Sequence, residues 1–283
     1  MRQCASFQPI GIYAIMFFPH LNTINGKDVN PVEIRKIFDT IPETFDKYRS
    51  CYCSALFDDL IAYADIGPGK TVLELGPGTG QATEPVLNTG CDYHAIELGE
   101  NLYQKMRDKF SSRSNFHITN DDFITHSFGG QRFDLIYSAA TIQWIPEEIA
   151  FSKTFELLKP GGTLAMMLTR GDYRTPNPAL HARIQEVYWQ HFNPETSYPC
   201  RGFGYTNAPQ YGYEAFEQRE YPTRRIFTAD EYVGYCGTHC DHIALAEPGR
   251  SLFFGGIRQA VLDAGNRLES IDTHVLYLTR KPL

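Results

Sequence analysis

The stretch TVLELGPGTG, residues 71–80, decides the fold of this chain. Its first five residues, all apolar or β-branched apart from Glu74, run directly into a glycine-rich turn. The glycines of that turn are Gly76, Gly78 and Gly80. A short apolar strand that leads through such a turn into a helix is typical of nucleotide-binding βαβ folds, in which glycines let the backbone approach the ligand. The stretch therefore predicts a first strand with a ligand site at its carboxyl end.

The residues around this turn alternate between short apolar runs and amphipathic segments. The predicted strands cover residues 71–75, 93–97, 116–119, 133–138 and 164–168, and the predicted helices cover residues 51–63, 81–88, 100–110 and 150–158. This alternation predicts an α/β fold built on a doubly wound, parallel sheet. Ligands of such sheets bind outside the carboxyl ends of the strands, so the functional residues are expected there.

The alternation stops after Thr169. Residues 172–221 are rich in tyrosine and contain several prolines, so we interpret them as a cap inserted after the fifth strand. Beyond the cap, the pattern predicts strands at residues 216–226 and 273–279 and helices at residues 229–235 and 252–264.

The N-terminal residues 1–30 do not fit the folded body, which we expect to span residues 31–283. The apolar run at residues 10–18 is too short to cross a membrane, since a spanning helix takes about 20 residues. No membrane partner is therefore predicted. We expect residues 1–30 to form a poorly ordered extension.

The composition restricts the class of partner. The formal net charge is -7 and no run of Lys or Arg occurs, which disfavours binding to nucleic acid, because phosphate neutralisation needs a basic face. Seven cysteines, an odd number in a long chain, do not resemble a disulfide framework and fit a reducing compartment such as the cytoplasm. The sequence predicts a cytoplasmic monomer or homodimer that acts on a small molecule.

Glu74 indicates the charge of the ligand. In a dinucleotide site the turn accommodates a pyrophosphate, which a neighbouring carboxylate would repel. The spacing also differs, because Gly76, Gly78 and Gly80 give G-x-G-x-G where a dinucleotide turn has G-x-G-x-x-G. An acid beside the turn favours a cationic ligand instead, and S-adenosylmethionine carries both an ammonium and a sulfonium group.

Further acids end the next two predicted strands. Glu97 ends the second strand, where a carboxylate can accept hydrogen bonds from both hydroxyl groups of a ribose. Asp121 and Asp122 end the third strand, where a carboxylate can accept from the amino group of an adenine. An acid at a strand end can also be a simple helix cap. Three strand-end acids in order after a glycine turn favour an adenosine ligand.

Four segments, VLELGPGTGQAT, HAIELGENL, FDLIYSAATIQWI and LLKPGGTLAM, resemble the motifs of class I S-adenosylmethionine-dependent methyltransferases, particularly the small-molecule enzymes of type 11. The resemblance covers roughly residues 40–170. It implies a Rossmann-like sheet of seven strands whose last strand is antiparallel. It also implies that the glycine turn and Glu74 surround the methionine part of the cofactor, Glu97 binds the ribose, and Asp122 with Phe123 flanks the adenine.

The segment FDKYRSCYC, residues 45–53, resembles a Tyr-Arg-x-x-Tyr element that closes over the cofactor in relatives. Tyr48, Arg49 and Tyr52 match it, and an Arg suits the carboxylate of the cofactor as a planar, permanently charged donor. The cofactor-binding set that the resemblance implies is Arg49, Tyr52, Glu74, Gly76, Gly78, Thr79, Gly80, Glu97, Leu98, Asp122, Phe123, Ser138 and Ala139.

The acceptor site is predicted from what this chain lacks. Relatives often carry His-Trp where this chain has Gln143 and Trp144, so a possible base is missing there. The tetrapeptide of enzymes that methylate amino groups of nucleic acids or protein amides is replaced by residues 138–141, SAAT. We therefore expect a small organic acceptor, with an oxygen nucleophile such as a carboxylate, in a pocket lined by Thr141, Gln143 and Trp144 beneath the cap. Arg174, Arg183 and Arg201 of the cap are candidates for neutralising an acidic acceptor.

Alternatives remain open at this point. The same motifs would occur in a protein that binds S-adenosylmethionine or S-adenosylhomocysteine without catalysis, and an NAD(P)-dependent oxidoreductase is a weaker alternative. The run CGTHCDH, residues 236–242, concentrates two cysteines and two histidines. Structural zinc sites usually draw their ligands from two separate segments, so no metal site is predicted there.

Overall fold

The computed structural model describes residues 34–193 and 202–283. The predicted extension, residues 1–30, lies outside the described residues, as does Arg201. The strands of the described part form a sheet of seven. They are β1 (Thr71–Leu75), β2 (Asp92–Glu97), β3 (Phe116–Asn120), β4 (Phe133–Ala139), β5 (Leu158–Asp172), β6 (Glu214–Phe227) and β7 (Leu268–Arg280).

The strands follow the order β3-β2-β1-β4-β5-β7-β6. Neighbours among β1 to β5 run parallel, whereas β7 is antiparallel to both β5 and β6. The predicted Rossmann-like sheet with an antiparallel last strand is confirmed. A dinucleotide-binding sheet has the order 3-2-1-4-5-6, without an inserted antiparallel strand, so this topology argues against the oxidoreductase alternative.

Helices flank the sheet and connect its strands. They are α1 (Pro42–Tyr48), α2 (Ser54–Ala64), α3 (Thr83–Leu87), α4 (Glu100–Phe110), α5 (Glu147–Leu157), α6 (Pro178–His191), α7 (Ala229–Cys236), α8 (Cys240–Ile243) and α9 (Gly249–Asp263). Short 3-10 helices cover Ile37–Thr40, Ile142–Trp144 and Tyr205–Tyr211.

The alternation of side chains along β1 supplies both layers of the core. Val72 packs into the layer that contains α2, α3 and α4, which we call the first face of the sheet. Leu73 and Leu75 pack into the layer that contains α5, the second face. α2 fits the first face because Leu56, Leu60 and the residues at the same helical spacing form one buried apolar stripe. Burial on both sides explains why β1 is apolar almost throughout.

Residues 172–221, predicted to form one cap, contribute to three separate parts of the fold. α6 packs against α9 in a separate helical cluster that also contains α7. The 3-10 helix Tyr205–Tyr211 instead packs near α5 on the second face, where the ring of Tyr205 stacks on Tyr277 with centroids 5.0 Å apart. β6 already begins at Glu214, inside the predicted range. The domain boundaries remain a prediction, but the cap is not a single layer.

Candidate functional site

The glycine turn adopts backbone conformations that only glycine tolerates readily. Gly76, Gly78 and Gly80 have φ angles of 61°, 62° and 91°. The amide of Gly76 donates to the carbonyl of Ile96 in β2 at 2.9 Å, which ties the turn to the neighbouring strand end. A Cβ atom on Gly76 would lie 2.3 Å from Cγ2 of Thr141. The turn is therefore closed on this side by the residues that follow β4.

Glu97 binds the glycine turn directly. Its two carboxylate oxygens accept hydrogen bonds from the amide of Gly78, at 3.0 Å, and the amide of Gly99, at 2.9 Å. Burial raises the pKa of Glu97 to about 7, although both hydrogen bonds act in the opposite direction. Each oxygen keeps a second lone pair, so the carboxylate can still accept from a ligand hydroxyl group. The position at the end of β2 fits the predicted ribose role, which remains a prediction.

Glu74 lies on the first face of the sheet, fully buried. One of its oxygens accepts from the hydroxyl of Thr83 at 2.6 Å and from Tyr93, whose own hydroxyl lies 2.5 Å from that of Tyr137. The other oxygen, Oε1, has no hydrogen-bond partner within the described residues. Burial raises the pKa of Glu74 to about 7. A buried acceptor without a donor, next to the turn, fits a cationic ligand, because a positive charge would favour its ionised form.

The acids after β3 already have partners. Asp122 accepts from Arg35 at 2.9 Å and 2.5 Å, and from the amide of Ile124 at 3.0 Å. The guanidinium of Arg35 lowers the pKa of Asp122. Asp121 pairs with His126 at 2.8 Å, and this hydrogen bond lowers the pKa of Asp121. An adenine amino group would have to share Asp122 with Arg35, so the predicted adenine role stays a prediction.

The N-terminal segment, residues 34–49, covers this end of the sheet. Asp39 accepts from the amide of Leu102 at 2.9 Å, which caps the start of α4. The ring of Phe45 would lie 3.3 Å from a Cβ atom on Gly78. No local sequence motif marks Arg35 or Asp39, and Phe45 begins the segment at residues 45–53 without being predicted as a site residue.

The predicted Tyr-Arg-x-x-Tyr element extends from Phe45 towards α7, and the guanidinium carbon of Arg49 lies 5.5 Å from the centroid of the Phe45 ring. Arg49 donates to the carbonyl and hydroxyl oxygens of Thr238 at 3.4 Å and 3.3 Å. The ring of Tyr48 lies against Gly234 of α7, and the ring of Tyr52 lies 5.3 Å from that of His274 in β7. The segment thus connects the glycine turn with α7, and a cofactor role for Arg49 and Tyr52 stays a prediction.

The residues after β4 form the wall next to the turn. The hydroxyl of Thr141 donates to the carbonyl of Gly76 at 2.9 Å, and buried Ser138 accepts from the amide of Ile142 at 2.9 Å. The amide of Gln143 donates to the carbonyl of Ala140 at 2.9 Å and accepts from Tyr205 at 2.9 Å. These bonds hold the predicted acceptor residues in place.

Several other predicted residues lie in the same region. Trp144 meets Phe38 of the N-terminal segment edge to face at 5.6 Å. Thr79 is fully buried and accepts from Gln81 at 2.6 Å, whereas Phe123 packs on the second face. Leu98 and Ala139 are partly exposed at the ends of β2 and β4. In the cap, Arg183 lies 4.0 Å from Asp263, so it is engaged away from this wall.

We expect the affinity for S-adenosylmethionine to rise with pH. Without ligand, Glu74 and Glu97 have pKa values of about 7, raised by burial. Their protonated forms therefore stabilise the fold at low pH, and this contribution to the free energy of unfolding is lost as pH rises through about 7. A cationic ligand favours the ionised forms of Glu74 and Glu97, so the dissociation constant should fall between about pH 6 and pH 8, by up to about tenfold per pH unit for each group.

Calorimetry in buffers of different ionisation enthalpy would measure this dependence together with the protons released on binding. Glu97→Gln and Glu74→Gln should each flatten the profile. A dissociation constant independent of pH in the unmodified protein would contradict the electrostatic role given to both acids.

The central part of the chain is similar to known methyltransferases. Residues 72–162 match the model of a family described as a methyltransferase domain. Phosphoethanolamine N-methyltransferase 2 of Caenorhabditis elegans is 31% identical over 112 residues, which is 38% of this chain and 25% of that protein. Malonyl-[acyl-carrier protein] O-methyltransferase of Marinomonas sp. is 28% identical over 134 residues, 46% of this chain and 49% of that protein. The chain thus spans half or less of these curated relatives, and other matches are named ribosomal RNA methyltransferases.

Solved structures confirm the fold. Phosphoethanolamine N-methyltransferase 2 of Haemonchus contortus, in complex with phosphomonomethylethanolamine and S-adenosylhomocysteine, superposes with a TM-score of 0.55 at 14% identity. The match covers 90% of this chain and 61% of that one. Within the described residues, no helix is long and apolar enough to span a membrane. The described residues also contain no group of three or more His, Cys, Asp or Glu side chains arranged to hold a metal ion.

Proposed function

We propose that this protein is a class I S-adenosylmethionine-dependent methyltransferase that transfers a methyl group from S-adenosylmethionine to a small organic acceptor. The match of residues 72–162 to a methyltransferase domain supports the proposal. The observation that carries the proposal is the buried pair of acids beside the glycine turn. Glu97 is bound to that turn, and Glu74 presents an unpartnered oxygen. Glu97 could accept from the ribose of any adenosine ligand, whereas a buried carboxylate at Glu74 favours a cationic cofactor over a neutral or anionic one.

The bound cofactor would supply an activated methyl group. The chain itself would bind and orient it through the glycine turn, Glu74 and Glu97, while the N-terminal segment would exclude water from the site. Phe45 and Phe38 of that segment are suited to this role, because they place apolar rings against Gly78 and Trp144.

We propose an oxygen nucleophile, in particular a carboxylate, as the methyl acceptor. A carboxylate is ionised at neutral pH, so no general base is needed. Gln143 supports this choice, since it cannot titrate and its amide is held by Ala140 and Tyr205. An un-ionised hydroxyl group would require a general base. The relatives named above act on quite different acceptors, so the choice of acceptor is independent of the family assignment.

A labelled-methyl assay over small carboxylic acids, phenols, amines, acyl carrier protein and ribosomal RNA would test the function. We expect transfer to a small carboxylic acid, and Trp144→Ala should reduce it at least about tenfold, because the indole packs against the covering segment. Trp189→Ala is the matched control, since that indole is 81% exposed. Cofactor binding should change by no more than a few fold in either variant.

Two outcomes would contradict the proposal. A far better rate with RNA or acyl carrier protein would exclude the small-molecule acceptor. Cofactor binding without transfer to any class tested would favour the alternative of a non-catalytic binding protein.

A further inference from the structure

A group of polar side chains lies buried at one end of the first face. Along β7, residues of this face change from leucine, at Leu276 and Leu278, to Ser270, Asp272 and His274. All three polar residues are at most 5% exposed. They stand beside the carboxyl end of β5, because Asp272 is paired with Gly171. Buried polar residues are costly unless they are hydrogen-bonded, and here Ser270 donates to Asp272 at 2.7 Å and His274 lies 2.9 Å from the hydroxyl of Thr169.

Arg225 of β6 presents a guanidinium group to this polar end. Its Nε lies 3.1 Å from Oδ2 of Asp272, and the side chain is 23% exposed. The guanidinium carbon lies 4.2 Å and 4.6 Å from the ring centroids of Phe227 and Tyr235. Within the described residues, its two terminal nitrogens make no hydrogen bond or ion pair. The aromatic rings and the carboxylate of Asp272 thus fix the guanidinium group of Arg225. Its two terminal nitrogens remain available to bind a planar anion.

A second cation faces the same place from the N-terminal segment. Arg49 reaches Thr238 after α7 and has no carboxylate within 4.0 Å among the described residues. Tyr235 and His239 lie between the arginines, with rings 4.8 Å apart, and both arginines lower the pKa of Tyr235 against the larger effect of burial. Burial lowers the pKa of His239 far below its usual range and lowers that of His274, so both imidazoles are neutral. Against the opposing effect of burial, the hydrogen bond to His242 lowers the pKa of Asp241, which acts on the same His239. Two arginines therefore face two carboxylates, Asp272 and Asp241.

We propose that Arg225, supported by Asp272 and the rings of Phe227 and Tyr235, binds the carboxylate of a small organic acid. This inference goes beyond the proposed function, because it assigns a carboxylate site that does not depend on the choice of methyl acceptor. A phosphate monoester, with about -1.5 to -2, would be repelled by Asp272 more strongly than a singly charged carboxylate. Arg225 lies on β6, three strand spacings or roughly 14 Å from β4, and it lies further along β6 than Arg219, which is level with the end of β4, so a small acid bound there would not reach the wall beside the glycine turn.

Arg224 provides a matched control for this site. It is the neighbouring residue on β6, points to the other side of the strand and pairs with Glu269 at 2.6 Å. Arg224→Gln and Arg225→Gln remove the same charge from the same strand. Arg225→Lys keeps the charge and removes the planar fork.

Succinate, benzoate, benzamide and phenyl phosphate would serve as probes, with binding measured by ligand-detected NMR in the presence of S-adenosylhomocysteine. We expect a carboxylate to bind the unmodified protein and Arg224→Gln equally, and its dissociation constant to rise at least about tenfold in Arg225→Gln and less in Arg225→Lys. Benzamide should not bind. Phenyl phosphate should bind weakly and gain affinity in Asp272→Asn.

The possible failures are distinguishable. Equal carboxylate binding in Arg225→Gln and Arg224→Gln, or no carboxylate binding at millimolar concentrations, would overturn this site while leaving methyl transfer intact. Tighter binding of phenyl phosphate than of either carboxylate would overturn the assigned ligand class. Loss of carboxylate binding in Arg225→Gln without methyl transfer to any acceptor would instead contradict the proposed function and retain the site.

Discussion

Gly76→Ala should weaken S-adenosylmethionine binding at least about a hundredfold and lower the free energy of unfolding by about 2 to 5 kcal/mol. Two effects add at this position. The φ angle of 61° disfavours any residue with a Cβ atom, by about 1 to 2 kcal/mol. The new Cβ would also lie 2.3 Å from Cγ2 of Thr141, closer than any real contact. Relief of that contact must displace the turn that carries Gly78, so binding should suffer together with stability.

Gly69→Ala separates these effects. Gly69 has a φ angle of 84°, but nothing lies within 4 Å of its Cβ position, so this variant should show the backbone cost alone. Thr141→Ala combined with Gly76→Ala should restore part of the loss, because it removes Cγ2. Equal losses of unfolding free energy in Gly69→Ala and Gly76→Ala, from denaturant titrations, would show that Thr141 does not constrain the turn.

Glu97→Ala should raise the dissociation constant of S-adenosylmethionine by about 30- to 1000-fold, equivalent to about 2 to 4 kcal/mol. The change leaves the amides of Gly78 and Gly99 without their acceptor and removes the carboxylate predicted to bind the ribose. Calorimetric titration would measure the effect. Glu100→Ala, an exposed acid in the first turn of α4, makes the same charge change nearby and should leave affinity within about twofold.

The outcome also decides the assignment of the acid. An unchanged dissociation constant in Glu97→Ala would reduce Glu97 to a structural acceptor for the glycine turn. A comparable loss in Glu100→Ala would show that general charge, and not contact with the ligand, determines affinity.

The sequence predicts those elements well whose boundaries coincide with local signals. β1 and α4 have the predicted bounds, because an apolar run meets glycines in one case and an amphipathic repeat has clear ends in the other. β5 was predicted for residues 164–168 but extends from Leu158 to Asp172. Its polar end is a strand only because β7 pairs with it there, and such pairing leaves no signal in the segment itself.

Residue types at the site were predictable, but their partners were not. The strand-end position of Glu97 follows from the pattern of β2 alone. The Arg35–Asp122 pair joins residues 87 positions apart, and the contact of Phe45 with the glycine turn depends on how α1 crosses it. The sequence makes Arg174, Arg183 and Arg201 candidates for binding an acidic acceptor, because they lie in the predicted cap. No sequence pattern distinguishes Arg225 within its predicted strand. Its significance depends on the register of β6 with β7.

The crossing of the N-terminal segment has a kinetic consequence. The segment is held at Asp122 after β3, at the start of α4 and at Thr238 after α7, so it is fixed on both sides of the glycine turn. Entry of one ligand and departure of another then require several contacts to break together, as in enzymes whose turnover is limited by the movement of a covering loop. Association would saturate at an opening rate as ligand concentration increases. The reactant and the product would therefore leave at similar rates, because both wait for the same segment, residues 34–49, to open, even where their affinities differ.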